Sequence, residues 1–118
     1  MSMQYRTMVT VIDRIRRMNL ANIPIPMDRI DAFCRKWKVR ELSLFGSVLR
    51  EDFRPDSDVD VLVSFEKDAP WSLYDVVDME DELRGLFGRD VDFVMKEGLR
   101  NPFRRREILS TRQVVYGG

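Results

Sequence analysis

Apolar residues recur at helical spacing in two segments near the start of the chain. In residues 7–18 they return every third or fourth position with arginines between them, which predicts an amphipathic helix. The stretch NLANIPIP follows, and its prolines, Pro24 and Pro26, indicate a linker. A second helix is expected to begin near Met27 or Asp28. Its apolar positions, spaced i, i+3, i+4 and i+7, are Ile30, Phe33, Cys34 and Trp37.

Short apolar stretches further along the chain have the composition of β-strands. We expect strands at residues 41–45, 58–65 and 91–95, and a last short strand within RQVVY at residues 112–116. Helical segments separate these stretches. Helices that alternate with short strands indicate an α/β or α+β domain, in which helices pack on a small sheet.

Two later helices carry recognisable start signals. Ser72 followed by Asp75 has the pattern of a capping box, and Gly85 and Gly88 are stop signals for the helix that it opens. The apolar face predicted for this helix consists of Leu73, Val76, Val77 and Leu83. Asn101-Pro102, a capping residue followed by proline in the first turn, begins the other, shorter helix.

Composition limits the chemistry that this domain can perform. The chain has 118 residues, enough for one hydrophobic core of ordinary size. No segment resembles a membrane span or a secretory signal, so we expect a cytoplasmic location. Cys34 is the only cysteine, expected as a small core residue, and histidine is absent. An intrachain disulfide and zinc sites built on cysteine or histidine are therefore excluded, and carboxylates, hydroxyls, cations or a hard metal remain.

The net charge of zero hides an uneven distribution of charge. Residues 1–50 carry 10 Lys and Arg against 4 Asp and Glu, residues 51–97 carry 5 against 15, and residues 98–118 carry 5 against 1. An acidic middle between basic flanks suits a metal-bound polyphosphate, with carboxylates on the metal and arginines on the phosphates. An ordinary patchy surface explains the same distribution equally well.

Two aspartates stand inside the second predicted strand. Successive side chains of a strand point to opposite faces, so the valines face the core while Asp58 and Asp60 share the other face, roughly 6.7 Å apart. Asp92 holds a similar place in the third strand. Such carboxylates repel one another and could close on one or two ions, and oxygen ligands alone favour Mg²⁺ or Mn²⁺. A solvent-exposed edge is the competing explanation of an Asp-x-Asp pair.

A Gly-Ser pair completes the pattern. Gly46-Ser47 ends the first strand, where backbone amides and a hydroxyl can meet a phosphate, although an ordinary turn is the alternative. Gly-Ser, ten residues, Asp-x-Asp and a later Val-Asp-Phe-Val strand together resemble the nucleotidyltransferase superfamily of DNA polymerase β. The pattern is most similar to its minimal nucleotidyltransferase (MNT) members, small bacterial proteins often encoded beside HEPN-domain partners.

This resemblance implies a fold and a division of the chain. It spans about residues 27–116 and implies a nucleotidyltransferase fold, with a small mixed β-sheet flanked by helices. Residues 27–118 would then form the nucleotidyltransferase domain. Residues 1–26 would form an N-terminal amphipathic helix and a linker.

The resemblance also implies roles for individual residues. Gly46 and Ser47 match the pair that grips phosphate in the family, and Asp58 and Asp60 match its two metal-binding aspartates. Asp92 matches the third carboxylate, which in the family helps to hold metal and to deprotonate the attacking hydroxyl.

Further positions match the MNT pattern, and one departs from it. Arg50 and Ser57 fall on positions that the small members favour, and we expect them to take part in nucleotide binding. The pattern's glycine after the arginine is Glu51 here. This places a carboxylate near the expected phosphate path, where it weakens nucleotide binding or simply points to solvent.

Two sets of residues compete for a role at the site. Asp56 and Asp90 each lie two residues before an expected ligand, but both precede the apolar strands and rank lower for that reason. Arg104, Arg105 and Arg106 follow the third strand and could contact a triphosphate, a partner or RNA. A solvated helix face explains such a run more simply.

The leading hypothesis is a metal-dependent nucleotidyl transfer to a hydroxyl acceptor. The resemblance implies AMP from ATP as the transferred group, a tyrosine of a HEPN-type toxin as the acceptor, and an antitoxin role. A binding module that has lost turnover and neutralises its partner by contact is the alternative. A domain of this size is expected to lack the second, substrate-reading domain of larger relatives, so the acceptor surface would come from a partner or a second copy of the chain. Nucleic acid is not expected as a direct substrate, because no aromatic-interleaved basic platform is present.

Overall fold

A computed structural model describes residues 22–117 of the chain. The helix predicted at residues 7–18 lies outside them. Three helices are present in the described part: α1 (Met27–Lys36), α2 (Leu73–Phe87) and α3 (Pro102–Thr111). The strands are β1 (Val39–Phe45), β2 (Val59–Phe65), β3 (Val91–Met95) and β4 (Gln113–Gly117). Short 3₁₀ turns follow β1 at Gly46–Leu49 and β3 at Lys96–Gly98.

The four strands form one mixed sheet in the order β3-β2-β1-β4. β1 pairs with β2 and with β4 in antiparallel fashion, whereas β2 and β3 are parallel. The parallel pair requires a crossover, and α2 supplies it between β2 and β3. The predicted fold class, a small mixed sheet flanked by helices, is confirmed. β1 begins two residues earlier than predicted, and Asp58 immediately precedes β2.

The main core lies on the face of the sheet that carries the valines. Val59, Val61 and Val63 are fully buried there, as the alternation predicted. Burying each of these side chains contributes about 1.5–3 kcal/mol. The helices α1 and α2 cover this face with Ile30, Phe33, Cys34, Met79, Leu83 and Leu86. Cys34 is fully buried, so its prediction as a small core residue is confirmed.

A smaller apolar cluster lies on the opposite face of the sheet. Phe45 and Leu62 come from the strands, Ile108 comes from α3, and Leu99 lies between β3 and α3. Asp60 is one position removed from both Val59 and Val61, so it points to this second face. The helix α3 therefore covers the face that carries the aspartate of β2.

The apolar face predicted for α2 is partly wrong. Leu73 is 78% exposed and Val77 is 54% exposed, and the neighbouring Tyr74 also faces solvent. The residues of α2 that enter the core are Met79, Leu83 and Leu86. The buried stripe of α2 thus begins at Met79, more than one helical turn after Leu73, the first apolar residue of the predicted face. Among residues 22–117, no helix is long and apolar enough to cross a membrane.

The predicted helix signals are mostly confirmed. The Ser72 hydroxyl accepts a hydrogen bond from the Asp75 amide and the Asp75 carboxylate accepts one from the Ser72 amide, a complete capping box. The Asn101 side chain caps α3 by accepting hydrogen bonds from the Phe103 and Arg104 amides, and Pro102 occupies the first position of the helix. Gly85 does not stop α2, which runs on to Phe87 and ends at Gly88 in the left-handed conformation.

Candidate active site

Asp60 and Asp92 lie side by side in the parallel pair of strands. The register aligns Asp60 with Asp92, just as it aligns Val59 with Val91. Neighbouring strands are about 4.8 Å apart and their aligned residues point to the same face, so the two carboxylates are neighbours. Asp58 is exposed and lies two residues before Asp60. The fold brings all three aspartates to the same end of the β2–β3 pair.

The environment of Asp60 raises the pKa of its carboxyl group. Partial burial is the largest cause, and repulsion from Asp92 and then from Asp58 adds to it. The guanidinium of Arg50 and the backbone of Ser47 lower the pKa, but by less. The three carboxylates are therefore close enough to interact, and the ionised Asp60 is under electrostatic strain that a nearby cation would relieve.

Gly46 allows the turn after β1 to approach the Asp60 carboxylate. β1 ends at Phe45, which pairs with Asp60, and Gly46 then adopts φ = +73°. A Cβ atom on Gly46 would overlap the carboxylate and would lie 3.1 Å from its Cγ atom. Glycine is needed here both for the left-handed backbone and for the lack of a side chain. The turn then places the Ser47 backbone against Asp60.

The aspartates fit a hard divalent cation by the type of their ligand atoms. Carboxylate oxygens suit Mg²⁺ and Mn²⁺, and the raised pKa of Asp60 reflects repulsion that such an ion would offset. Among the described residues, no three acidic side chains already converge as a closed set of metal ligands. The fit therefore rests on the chemistry of the donors and on their mutual repulsion.

A known family model matches the part of the chain that contains the Gly46 turn and the three aspartates. The family model described as a nucleotidyltransferase domain matches residues 28–115, which include the Gly-Ser turn and all three aspartates. The chain belongs to the nucleotidyltransferase family.

Individual relatives place this nucleotidyltransferase near the MNT members. The protein adenylyltransferase MntA of Thermococcus cleftensis is 41% identical over 81 residues, which cover 69% of this chain and 77% of the relative. A solved chain assigned as a minimal nucleotidyltransferase is 33% identical and has a TM-score of 0.62, with 74% of this chain and 86% of that one covered.

A more distant structure shares the fold. It is the complex of a tri-AMPylated HEPN toxin of Shewanella oneidensis with an MNT antitoxin, matched at 18% identity and a TM-score of 0.57. The match covers 78% of this chain and 70% of that chain.

Arg50 and Ser57 flank the site and have structural partners in the nucleotidyltransferase. The Ser57 hydroxyl accepts a hydrogen bond from the Arg54 amide at 3.0 Å, and the Ser57 amide donates to the Arg54 carbonyl at 3.0 Å. Ser57 thus closes the turn that leads into Asp58. The Nε atom of Arg50 lies 3.1 Å from the Asp52 carboxylate, and Arg50 is exposed beside the Gly46 turn.

Asp56 and Asp90, the competing aspartates, line a different cavity. Asp56 and Asp90 are exposed and line a cavity of about 480 Å³ together with Ser57, Arg84 and Arg89. Arg89 donates to the Ser57 carbonyl at 3.3 Å, and its guanidinium lies over the Phe53 ring. Neither Gly46 nor Asp60 lines this cavity, so we do not assign it to the transfer reaction despite its size.

Asn22 holds the Gly-Ser turn, a contact that sequence reasoning missed. Its backbone amide and its side-chain amide both donate to the Val48 carbonyl, at 3.0 and 2.9 Å, and the side chain also donates to the Arg50 carbonyl. The predicted linker therefore includes a residue that fixes the turn after β1. No local pattern could reveal a contact between residues 26 positions apart.

The helix α3 contributes residues to a second, smaller cavity next to Gly46. This cavity has a volume of about 210 Å³. It is lined by Phe45, Gly46, Arg50, Arg104, Glu107, Ile108 and Thr111. Glu51 is exposed and does not line it. Of the run Arg104 to Arg106, only the first residue faces the cavity beside the Gly-Ser turn.

Proposed function

We propose that this nucleotidyltransferase is an antitoxin that transfers AMP from ATP to a tyrosine hydroxyl of a HEPN-domain toxin. The observation that carries the proposal is the packing of Gly46 against Asp60 in register with Asp92. This arrangement joins a backbone suited to phosphates with carboxylates suited to a metal. The names of the relatives, a protein adenylyltransferase and an MNT antitoxin in complex with an AMPylated HEPN toxin, support the acceptor class.

The metal ligands in this proposal are Asp58, Asp60 and Asp92. Mg²⁺ or Mn²⁺ bound there would neutralise the charge that builds up on the phosphates during transfer. Asp60 is fixed by its strand and by the Gly46 turn, whereas Asp58 and Asp92 are exposed and can reach an incoming ion. Binding the ion would remove the repulsion that raises the Asp60 pKa.

The transfer itself is an in-line displacement at the α-phosphorus of ATP. The tyrosine oxygen forms a bond to this phosphorus, the bond to the bridging oxygen of the β-phosphate breaks, and pyrophosphate leaves with the electron pair. Asp92, which resembles the family's third carboxylate, would accept the proton of the tyrosine. The Ser47 hydroxyl holds the outer phosphates, while the Ser47 backbone amide is bonded to the Asp60 carboxylate. Positioning and electrostatics supply most of the rate, because no covalent intermediate is needed.

The experiment that tests this function uses ATP labelled on the α-phosphate. The protein is incubated with Mg²⁺, the labelled ATP and a candidate HEPN-domain toxin. We expect label on the toxin with the wild type and none with the double variant Asp58→Asn/Asp60→Asn. The matched control is Asp56→Asn/Asp90→Asn, which removes two exposed carboxylates from the other cavity and should leave transfer intact.

Two outcomes would contradict the proposal. Transfer that survives in Asp58→Asn/Asp60→Asn would show that these aspartates do not hold the metal. No transfer by the wild type with any nucleotide, together with a toxin complex that survives the double substitution, would leave a binding module that acts by contact alone.

A further inference from the structure

The three consecutive arginines of α3 have different surroundings. Arg104 lines the cavity next to Gly46, and its guanidinium has no hydrogen-bond or ion-pair partner among residues 22–117. The guanidinium of Arg105 already has a partner within the fold, because its Nη1 atom donates to the Lys96 carbonyl at 2.9 Å. Arg106 is exposed and lies outside the cavity. Arg104 is thus the member of the run that is available to a ligand of the site.

The cavity continues the active site across the sheet. In the strand order, Asp92 lies on β3, Asp60 lies on β2, and Gly46 follows β1. Residues 104, 107–108 and 111 share one face of α3, and they border the cavity beside Gly46. The sheet therefore presents carboxylates, then a glycine turn, then the arginines Arg50 and Arg104, in that order.

This order matches the chemistry of a nucleoside triphosphate. The α-phosphate is the reacting group and belongs at the carboxylates, where the metal would bind. The β- and γ-phosphates then extend past Gly46, and one strand spacing of about 4.8 Å separates β2 from β1. We infer that Arg104, together with Arg50, binds the terminal phosphate of the triphosphate in the cavity between the Gly46 turn and α3. This inference rests on the proposed function for the direction in which the triphosphate lies.

The charges of the cavity are consistent with one terminal phosphate. Its lining carries two guanidinium groups and one carboxylate, Glu107. Arg50 is paired with Asp52 outside the lining, whereas the guanidinium of Arg104 has no partner among residues 22–117, so its donors are available to an anion. The Thr111 side chain offers a hydroxyl, and Phe45 and Ile108 supply the apolar part of the lining. Arginine suits this task because its planar donors can bind two phosphate oxygens at once.

The test compares Arg104→Ala with Arg106→Ala, which removes the same charge from the same helix outside the cavity. The dissociation constants of a non-hydrolysable ATP analogue and of AMP are measured for each variant in the presence of Mg²⁺ and without the toxin. We expect Arg104→Ala to weaken binding of the ATP analogue about tenfold and to leave AMP unchanged, since AMP has no terminal phosphate to lose. Arg106→Ala should bind both ligands as the wild type does.

A third variant separates ligand binding from a structural role. Arg104→Lys keeps the charge but not the planar fork, so it should recover part of the lost affinity for the ATP analogue. Equal weakening of AMP and of the ATP analogue by Arg104→Ala would overturn the inference, as would equal effects of Arg104→Ala and Arg106→Ala. These measurements do not depend on the toxin. A wild type that binds ATP but labels no partner would refute the proposed acceptor and leave the phosphate contact to be judged on its own.

Discussion

Replacing Gly46 with alanine tests the central contact of the site. Gly46 has φ = +73°, and a Cβ atom there would overlap the Asp60 carboxylate. Gly88 has nearly the same backbone, with φ = +71°, but no atom lies within 4 Å of the position of its Cβ. The pair Gly46→Ala and Gly88→Ala therefore shares the backbone strain and differs in the clash with Asp60.

The expected loss of stability is the same for the two variants, whereas the expected loss of catalytic rate is not. Placing alanine in the left-handed conformation costs about 1–2 kcal/mol in either variant, which lowers the Tm by roughly 5–15 °C in a domain of this size. The atom that clashes at Gly46 is the end of a side chain, so Asp60 can rotate away at little further cost in stability. A carboxylate displaced by about 1 Å, however, can reduce the rate of catalysis about 100-fold.

Two measurements check this reasoning. Thermal unfolding should give similar Tm values for Gly46→Ala and Gly88→Ala. Transfer of labelled AMP, measured well below both transitions, should fall about 100-fold in Gly46→Ala and stay near the wild-type rate in Gly88→Ala. A Gly46→Ala variant that is folded and transfers as fast as Gly88→Ala would refute the role assigned to the contact between Gly46 and Asp60.

Three further predictions follow from the described contacts. Asn22→Ala removes the side-chain hydrogen bonds to the Val48 and Arg50 carbonyls and keeps only the backbone bond to Val48, so it should raise the KM for ATP about tenfold. Ser72→Ala, a capping loss of about 1 kcal/mol at the far end of α2, should leave KM unchanged, and equal KM values for the two variants would contradict the prediction. The pKa of Asp60 is raised above 3.8 in the folded protein, so its ionised form destabilises the fold above the folded-state pKa, and this cost disappears as the pH falls through that pKa. Asp60→Asn should therefore raise the Tm at pH 7 in the absence of metal and lose this gain near pH 4, whereas a lower Tm at pH 7 would contradict the sign. Burial raises the pKa of the Cys34 thiol to about 12, so a thiol reagent at pH 8 should label it only as fast as the protein opens, and rapid labelling of the native protein would count against its burial.

Local signals in the sequence were sufficient for most of the secondary structure. The Ser72 capping box and the Asn101 cap are confirmed because such caps act within one helical turn and need no distant partner. The valines of β2 are buried as their alternation indicated, because the two faces of a strand follow directly from backbone geometry.

The face of α2 that packs on the sheet was not determined locally. Leu73 and Val77 fit a helical stripe, yet both are exposed, and Met79, Leu83 and Leu86 are buried instead. A helix that carries apolar residues on more than one side can be rotated about its axis with little change in its own energy. The sheet that it covers decides which side is buried, and that choice depends on packing.

The features of the candidate site also fall into those set by local sequence and those set by tertiary packing. The sequence by itself determined which carboxylates lie on the face of the strands opposite the valines and which glycine begins the turn, because alternation and turn chemistry are local. Only the tertiary structure decided that Asp60 is aligned with Asp92, that Asn22 holds the turn after β1, and that Arg104 faces the site while Arg106 does not. These contacts join residues far apart in the chain, and they depend on strand register and helix packing, which the whole core fixes together.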